Sequence, residues 1–287
     1  MSASLSNQQR SSYLENGYIK PLRVMSERSA ARLRAEIEAI EAKYPNGKLP
    51  APLNQYFRYD GQLVMPFLVD VARKPVILDA VESLIGPNIM VWSIELFIKE
   101  AGSQAKVTWH QDLTYWGMGG TDLQVTAWIA LTDVSELAGC MRFVPGSQKL
   151  DIVSHHDTFS EDNLLSRGQE IEVDVDENDA VLDDLRPGEM SLHHGKIFHA
   201  SGPNNSDDRR IGLVIRYVSP EIERTGSGRD YAMLVRGIDQ EMNWVNVAAP
   251  VVLFGQDELR MYGDVMRDKE KILAQDSEQP LSSFDMR

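Results

Sequence analysis

Apolar positions recur at helical spacing through the first third of the chain and alternate at strand spacing beyond it. Ser6 to Asn16 reads as a short helix stopped by Gly17, a residue free to take the left-handed conformation that a helix end often needs. Tyr18 and Ile19 then start an extended segment. Ser26 is a candidate N-cap, Glu27 follows it, and Leu33, Ile37 and Ile40 share one helix face until Tyr44-Pro45-Asn46-Gly47 ends the run. Leu49 to Phe67 is rich in proline and aromatics without a clear period. Val76, Ile77, Ala80, Val81 and Leu84 mark a second amphipathic helix over Lys74 to Ile85, stopped by Gly86-Pro87. These helices read as a layer laid on something else.

From Ile89 the grammar changes to strands: Ile89 to Lys99, Val125 to Leu131, Met141 to Val144, Ile171 to Val175, Met190 to His193 and Ile211 to Val218. A helix-rich start followed by many short strands joined by turns predicts a mainly β protein with flanking helices, an antiparallel sandwich or barrel. The acidic segment from Glu170 to Asp184 reads as a solvated edge hairpin whose charges discourage edge pairing. Gly255 to Gln275 reads as a last helix, and Asp276 to Arg287 as a mobile tail.

Composition narrows the function classes. A hydrophobic share of 43% supplies an ordinary core. The single cysteine, Cys140, cannot close an internal disulfide, and the chain opens without a charged n-region, apolar run and cleavage site, so the expected compartment is the cytoplasm. No stretch approaches the length of an apolar membrane span. A net charge of -14, without a basic stripe interleaved with aromatics, argues against nucleic acid. The expected partner is a small-molecule substrate.

Chemistry concentrates at Trp109-His110-Gln111-Asp112 and at His193-His194-Gly195-Lys196-Ile197-Phe198-His199-Ala200-Ser201. On an extended segment, side chains at i and i+2 share a face, so His110 and Asp112 can reach one metal ion together. His199 is the candidate third ligand, with His193 at the same strand parity as its rival. Two imidazoles and one carboxylate on one side of an ion, with the other side open, is the arrangement of non-haem Fe(II) oxygenases. Eleven positions after His199 comes Arg210, and a turn through Gly202-Pro203-Asn204-Asn205 would bring it back beside Ser201 on a neighbouring strand. That places a fixed cation near the metal. The same ligand set could also hold zinc or manganese for hydrolysis, or sit in a cupin-like binding protein without turnover.

These residues, with Tyr13-Leu14-Glu15-Asn16-Gly17-Tyr18 and Gly139-Cys140-Met141-Arg142-Phe143-Val144-Pro145-Gly146-Ser147, resemble the phytanoyl-CoA dioxygenase family of Fe(II)- and 2-oxoglutarate-dependent oxygenases. The resemblance implies a double-stranded β-helix, the cupin-like jelly roll, as one domain over 1–287. A helical layer would occupy about 1–88, the jelly-roll core about 89–220, and a C-terminal extension with a helix about 221–287. It implies iron at His110, Asp112 and His199, and the far carboxylate of 2-oxoglutarate on Arg210 with help from Ser201 and with Trp128 nearby. Dioxygen would be the oxidant and hydroxylation of an unactivated C–H bond the reaction, with release of succinate and CO2. Related halogenases carry Ala or Gly where this chain has Asp112, which leaves them a site for chloride. The family usually reads Pro-Gly-Ser-His where this chain has Gln148 in the last place, a departure that touches no metal ligand.

Tyr115 and Trp116 are candidate substrate contacts as a lip over the site, and Arg142 is a third candidate. The segment from Thr108 to Asp133 contains no lysine or arginine while offering Tyr115, Trp116, Asp122 and Asp133. Such a rim predicts a small polar, neutral or cationic metabolite rather than a coenzyme A thioester.

Overall fold

The computed structural model describes residues 4–157, 163–164, 169–225 and 228–274, with the side chains of Tyr115, His156, Asp157, Gln169 and 271–274 left aside. The expected mobile tail, Asp276 to Arg287, lies outside the described residues. Ser6 caps α1 (Asn7–Asn16) through a reciprocal pair of hydrogen bonds with Gln9, and Gly17 ends it at φ 82°. β1 (Tyr18–Arg23) follows, then α2 (Glu27–Lys43), capped by Ser26. The proline- and aromatic-rich stretch resolves into α3 (Leu53–Arg58) and α4 (Pro66–Ala72), too short to show a period, and α5 (Pro75–Ile85) completes the layer.

The strands are β2 (Ile89–Lys99), β3 (Val107–His110), β4 (Gln124–Ala130), β5 (Met141–Phe143), β6 (His155–Asp157), β7 (Gln169–Ile171), β8 (Val181–Asp183), β9 (Glu189–His194), β10 (His199–Ser201), β11 (Arg210–Val218), β12 (Tyr231–Arg236) and β13 (Val245–Asn246), before α6 (Gln256–Ala274). Seven of them form one sheet in the order β1-β9-β4-β11-β2-β12-β13, four form a second in the order β3-β10-β5-β8, and β6 pairs with β7. This is the expected mainly β jelly roll. The large sheet takes β1, β12 and β13 from outside the 89–220 core read from the sequence.

The acidic segment is not one hairpin. β7 pairs with β6 while β8 edges the four-stranded sheet, so its two ends belong to different sheets. Nor is it all solvated. Asp183 is fully buried, its Oδ2 accepting from Ser191 Oγ at 2.7 Å, and burial pushes its carboxyl up to about 7.

Strand alternation gives the large sheet two faces. On β11, Ile211, Leu213, Ile215 and Tyr217 pack outward with Ile37, Leu68 and Ile77 of the helices, and Tyr217 donates its hydroxyl to Ala72 O at 2.8 Å. Arg210, Val214 and Arg216 face inward, where with Trp128, Met141 and His199 they line a cleft of about 440 Å³. The pairing of β11 with β2 shifts register between Tyr217↔Val91 and Arg216↔Ser93, leaving Trp92 as the extra residue of a bulge. Gly212 lies on the inward face with the indole of Trp128 laid directly against it, so a β-carbon there would come within 2.0 Å of a ring atom. Gly212→Ala is therefore expected to destabilise the fold by about 1–3 kcal/mol, as overpacked cores do. Urea unfolding of the two proteins measures this.

Candidate active site

Backbone pairing assembles the metal-binding candidates. His199 on β10 is the direct cross-strand partner of His110 at the end of β3, and the two rings lie 4.0 Å apart, centroid to centroid. Asp112 is not on the strand: it opens a short 3-10 turn over Asp112–Tyr115. Gln111 between them stays extended, at φ -113° and ψ 129°, and that keeps the i, i+2 relation which brings Asp112 to the same side as His110. His110, Asp112 and His199 offer donor atoms all within 4.8 Å of one another and all three are buried, a group that could hold a metal ion.

The surrounding contacts suit that task. His110 Nδ1 faces Thr108 O at 2.9 Å and His199 Nδ1 faces Ile197 O at 3.0 Å. Each Nδ1–H donates to a carbonyl, which leaves each Nε2 lone pair free, the tautomer a metal needs. Burial and the neighbouring imidazole hold His199 well below the usual histidine range, so it is neutral at physiological pH. Although burial opposes it, Asp112 is held well below the usual carboxylate range by the facing histidines and Arg216. Its Oδ2 accepts from Thr126 Oγ1 at 3.3 Å, and Thr126 in turn accepts from Gln124 Nε2 at 2.9 Å.

His193, the rival ligand, projects from the opposite sheet. Its Nε2 lies 3.7 Å from Asp112 Oδ2, and both its ring nitrogens are buried without hydrogen bonds. It flanks the cluster of three and stands outside it.

Two residues that position the metal loop escape a reading of the sequence. Gln111, fully buried, turns away from the cleft: its Nε2 donates to Lys196 O at 2.9 Å, and its Oε1 accepts from Val153 N at 2.9 Å. His155 accepts from Gln111 N at 3.1 Å while its Nδ1 faces Val153 O at 2.8 Å. No periodicity signals such bonds, because their partners are loop backbone far along the chain. Ser147 acts similarly: Phe198 N donates to its hydroxyl at 2.8 Å, which anchors the start of the His199 strand. The departure at Gln148 is absorbed by bonds to Leu14 O and Glu15 O.

Arg210 and Ser201 both line the cleft, brought there by another route than a hairpin. β10 belongs to the four-stranded sheet and β11 to the seven-stranded one, so the turn after Ser201 crosses between sheets. Arg210 is buried, donates to Gly139 O at 2.6 Å and lies over the Trp128 ring at 5.3 Å. Its cross-strand neighbour on the same face is Lys99, buried as well, whose ammonium donates to Ser201 Oγ at 2.8 Å and to Gly202 O. Lys99 had a signal in the sequence, since Glu95 and Lys99 share one face of a mostly apolar strand. Burial and the adjacent guanidinium push Lys99 down to about 6, and burial pushes Arg210 down to about 10. Neither forms an ion pair with a carboxylate among the described residues. Two buried cations side by side cost free energy unless an anion joins them, and because Ser201 accepts from Lys99 its own proton is free to donate to that anion.

The substrate candidates separate. Arg142 points outward: alternation on β5 sends Met141 and Phe143 into the interior, and Arg142 pairs with Glu177 at 2.8 Å over the Trp109 ring. It is not a cleft residue. Trp116 packs on Trp92, with centroids 4.7 Å apart, and under the guanidinium of Arg216 at 4.8 Å. It is packed at the edge of the site and held there, which is not the free lip expected. The side chain of Tyr115 lies outside the described residues. Asp122 pairs with His194 and Lys196, and Asp133 is exposed. The cleft wall instead carries Arg216, supplied by β11 and not by the segment around the metal pair.

Comparison with known proteins places this geometry. A family model described as Phytanoyl-CoA dioxygenase (PhyH) matches residues 13–212. The chain belongs to the phytanoyl-CoA dioxygenase family. A probable alpha-ketoglutarate-dependent hypophosphite dioxygenase of Stutzerimonas stutzeri is 26% identical over 285 residues, covering 93% of this chain and 98% of that protein. The peroxisomal phytanoyl-CoA dioxygenase of Homo sapiens is 26% identical over 240 residues, 76% of this chain and 69% of that one. The solved apo structure of ThoJ, a non-heme monooxygenase, is 32% identical with a TM-score of 0.81, over 93% of this chain and 98% of its own. This member of the phytanoyl-CoA dioxygenase family is a 2-oxoglutarate-dependent non-haem iron oxygenase, with Fe(II), 2-oxoglutarate and dioxygen as its cofactors. Among the described residues no helix is long and apolar enough to cross a membrane.

Proposed function

We propose that His110, Asp112 and His199 bind iron(II), that Arg210, Lys99 and Ser201 hold the far carboxylate of 2-oxoglutarate beside Trp128, and that the enzyme hydroxylates an unactivated C–H bond of a small metabolite. The observation that carries this reading is the buried Arg210, which lines one cleft with the ligand set and has Lys99 as its cross-strand neighbour, the two having no carboxylate partner among the described residues. A metal-dependent hydrolase would have no use for those cations. Iron and the 2-oxo acid together supply oxygen activation, with one oxygen atom going to the substrate and the other to succinate as CO2 leaves.

The chain's own residues bind and orient. Thr126 and the two backbone carbonyls fix the ligand side chains, Arg210 and Lys99 neutralise the cosubstrate, and Trp128 and Phe97 keep the cleft wall apolar. The expected substrate is a small metabolite, and we place the enzyme in the cytoplasm. Oxygen uptake tests the reading: it should require both Fe(II) and 2-oxoglutarate and yield succinate. Hydrolysis without oxygen uptake would overturn it.

Lys99 adds a pH signature. An unfolded lysine holds its proton up to about 10.5 whereas folded Lys99 loses it near 6, so between those values the folded protein binds fewer protons than the unfolded chain. Stability of the ligand-free protein contributed by this group therefore rises with pH across that window, and the cost of burying the charge is felt in full below about 6. A carboxylate bound beside Lys99 favours the ammonium. Binding of 2-oxoglutarate near neutral pH is thus expected to take up about one proton and to weaken as pH rises. Calorimetry in buffers of different ionisation enthalpy reads that uptake, which Lys99→Met should remove.

A further inference from the structure

The inward face of the large sheet has a cationic group at each end of the cleft. Along β11, Arg210 and Arg216 are six residues and roughly 20 Å of strand apart, and both line the same cleft. The metal-binding candidates lie nearer the Arg216 end. Thr126, which holds Asp112, is the cross-strand partner of Arg216. With the cosubstrate's far carboxylate at Arg210, the Arg216 end remains for the molecule to be oxidised.

Charge at that end is not balanced. Arg216 donates to Glu95 Oε1, an oxygen that also accepts from Ser93 Oγ at 3.0 Å. Arg58 lies over the ring of the cleft residue Phe97 at 4.2 Å, at the level of Gly212 and so between the two ends, and donates to Leu164 O at 2.7 Å. Among the described residues Glu95, paired with Arg216, is the only carboxylate that either guanidinium pairs with, and the Nε atoms of both are buried without a hydrogen-bond partner. The neighbouring charges are accounted for: Lys269 pairs with both oxygens of Asp60 at 2.8 Å, and Arg224 approaches Asp230 at 3.3 Å. Iron(II) with Asp112 would leave one more positive charge, while Arg210 and Lys99 match the two negative charges of 2-oxoglutarate. An anion is what the remaining end lacks.

We propose that Arg216, with Arg58 adding positive charge behind Phe97, anchors the primary substrate, and that this substrate is a small organic carboxylate. The inference rests on the cosubstrate assignment proposed above and replaces the neutral or cationic metabolite expected from the arginine-free rim. Guanidinium forks suit a two-oxygen anion, and the indole of Trp116 beneath Arg216 keeps the fork in one orientation. A carboxylate fixed there would direct the carbon skeleton toward the metal ligands.

The test uses full-length protein loaded with Mn(II) and saturating 2-oxoglutarate. Straight-chain, branched and amino-acid monocarboxylates are each compared with their primary amide and amine, by rise in melting temperature and, with Fe(II), by stimulated succinate formation. Carboxylates should bind and stimulate where amides and amines do not. Their affinity should fall about tenfold to a hundredfold in Arg216→Gln, the range for a lost charge-assisted hydrogen bond, and partly recover in Arg216→Lys. Should Arg216→Gln not fold, Arg58→Gln and the charge-neutral pair Arg216→Gln with Glu95→Gln carry the same comparison. Amines or amides binding as well as their acids, no carboxylate binding at all, or equal affinity in wild type and variant would each overturn the proposal. Binding of 2-oxoglutarate to wild type is measured first, so failure at that step removes the cosubstrate assignment and failure after it removes the anion anchor alone.

Discussion

His110→Ala, Asp112→Ala and His199→Ala are each expected to release iron and abolish turnover, while His193→Ala retains the metal. The four side chains crowd one another, so proximity alone does not separate them. What does is presentation: His110 and His199 each satisfy Nδ1 on a backbone carbonyl and turn Nε2 to the cluster, whereas His193 has neither nitrogen engaged and stands 3.7 Å from the carboxylate oxygen that Thr126 already binds. Losing an orienting neighbour typically costs about 10- to 100-fold in metal affinity, so Thr126→Ala and His155→Ala should each weaken iron binding by about tenfold, and His193→Ala, which removes no hydrogen bond, by less. The three ligand variants should fall well beyond that range. Metal titration of the six proteins decides it, and full iron affinity in His199→Ala would sink the assignment.

Arg210→Ala should raise the 2-oxoglutarate requirement strongly and Arg209→Ala hardly at all, although the two are adjacent in sequence. Strand alternation separates them. Arg210 points into the cleft beside Lys99, while Arg209 points outward and spreads over Glu41 and Glu100, each at 2.8 Å. A hydrogen bond to a charged partner in a buried site contributes about 1.5–3 kcal/mol, or roughly tenfold to a hundredfold in affinity. Ion pairs at the protein surface contribute about 0–1 kcal/mol, and the half-buried pairs of Arg209 lie outside the cleft. The ratio of apparent 2-oxoglutarate affinities in the two variants is the measurement, and equal losses would mean that the inward register of β11 is wrong.

How much of this was legible in the sequence follows from the range of each physical cause. The ligand set could be read because it depends on local geometry: two residues of extended chain place His110 and Asp112 on one side whether or not the second lies on a strand. Arg210 could be found, but its path could not, because a turn of four residues looks the same whether it closes a hairpin or crosses between sheets. Arg216 had an available signal, being at the same parity as Arg210 on one strand, yet the rim was judged from the segment around the metal pair alone. The positioning bonds of Gln111 and His155 had none. Likewise β12 joins the large sheet from a stretch that reads as an extension, since its pairing with β2 is a tertiary fact and its own pattern is only half-buried.

The most direct measurement is an anaerobic titration of 2-oxoglutarate into the Fe(II)-loaded protein, followed by the visible absorption that arises when a 2-oxo acid chelates iron(II). The structure predicts a saturable band at one equivalent of cosubstrate, dependent on iron, lost in His199→Ala and displaced to higher concentration in Arg210→Ala. Absence of the band while iron stays bound, or a band with unchanged affinity in Arg210→Ala, would contradict it.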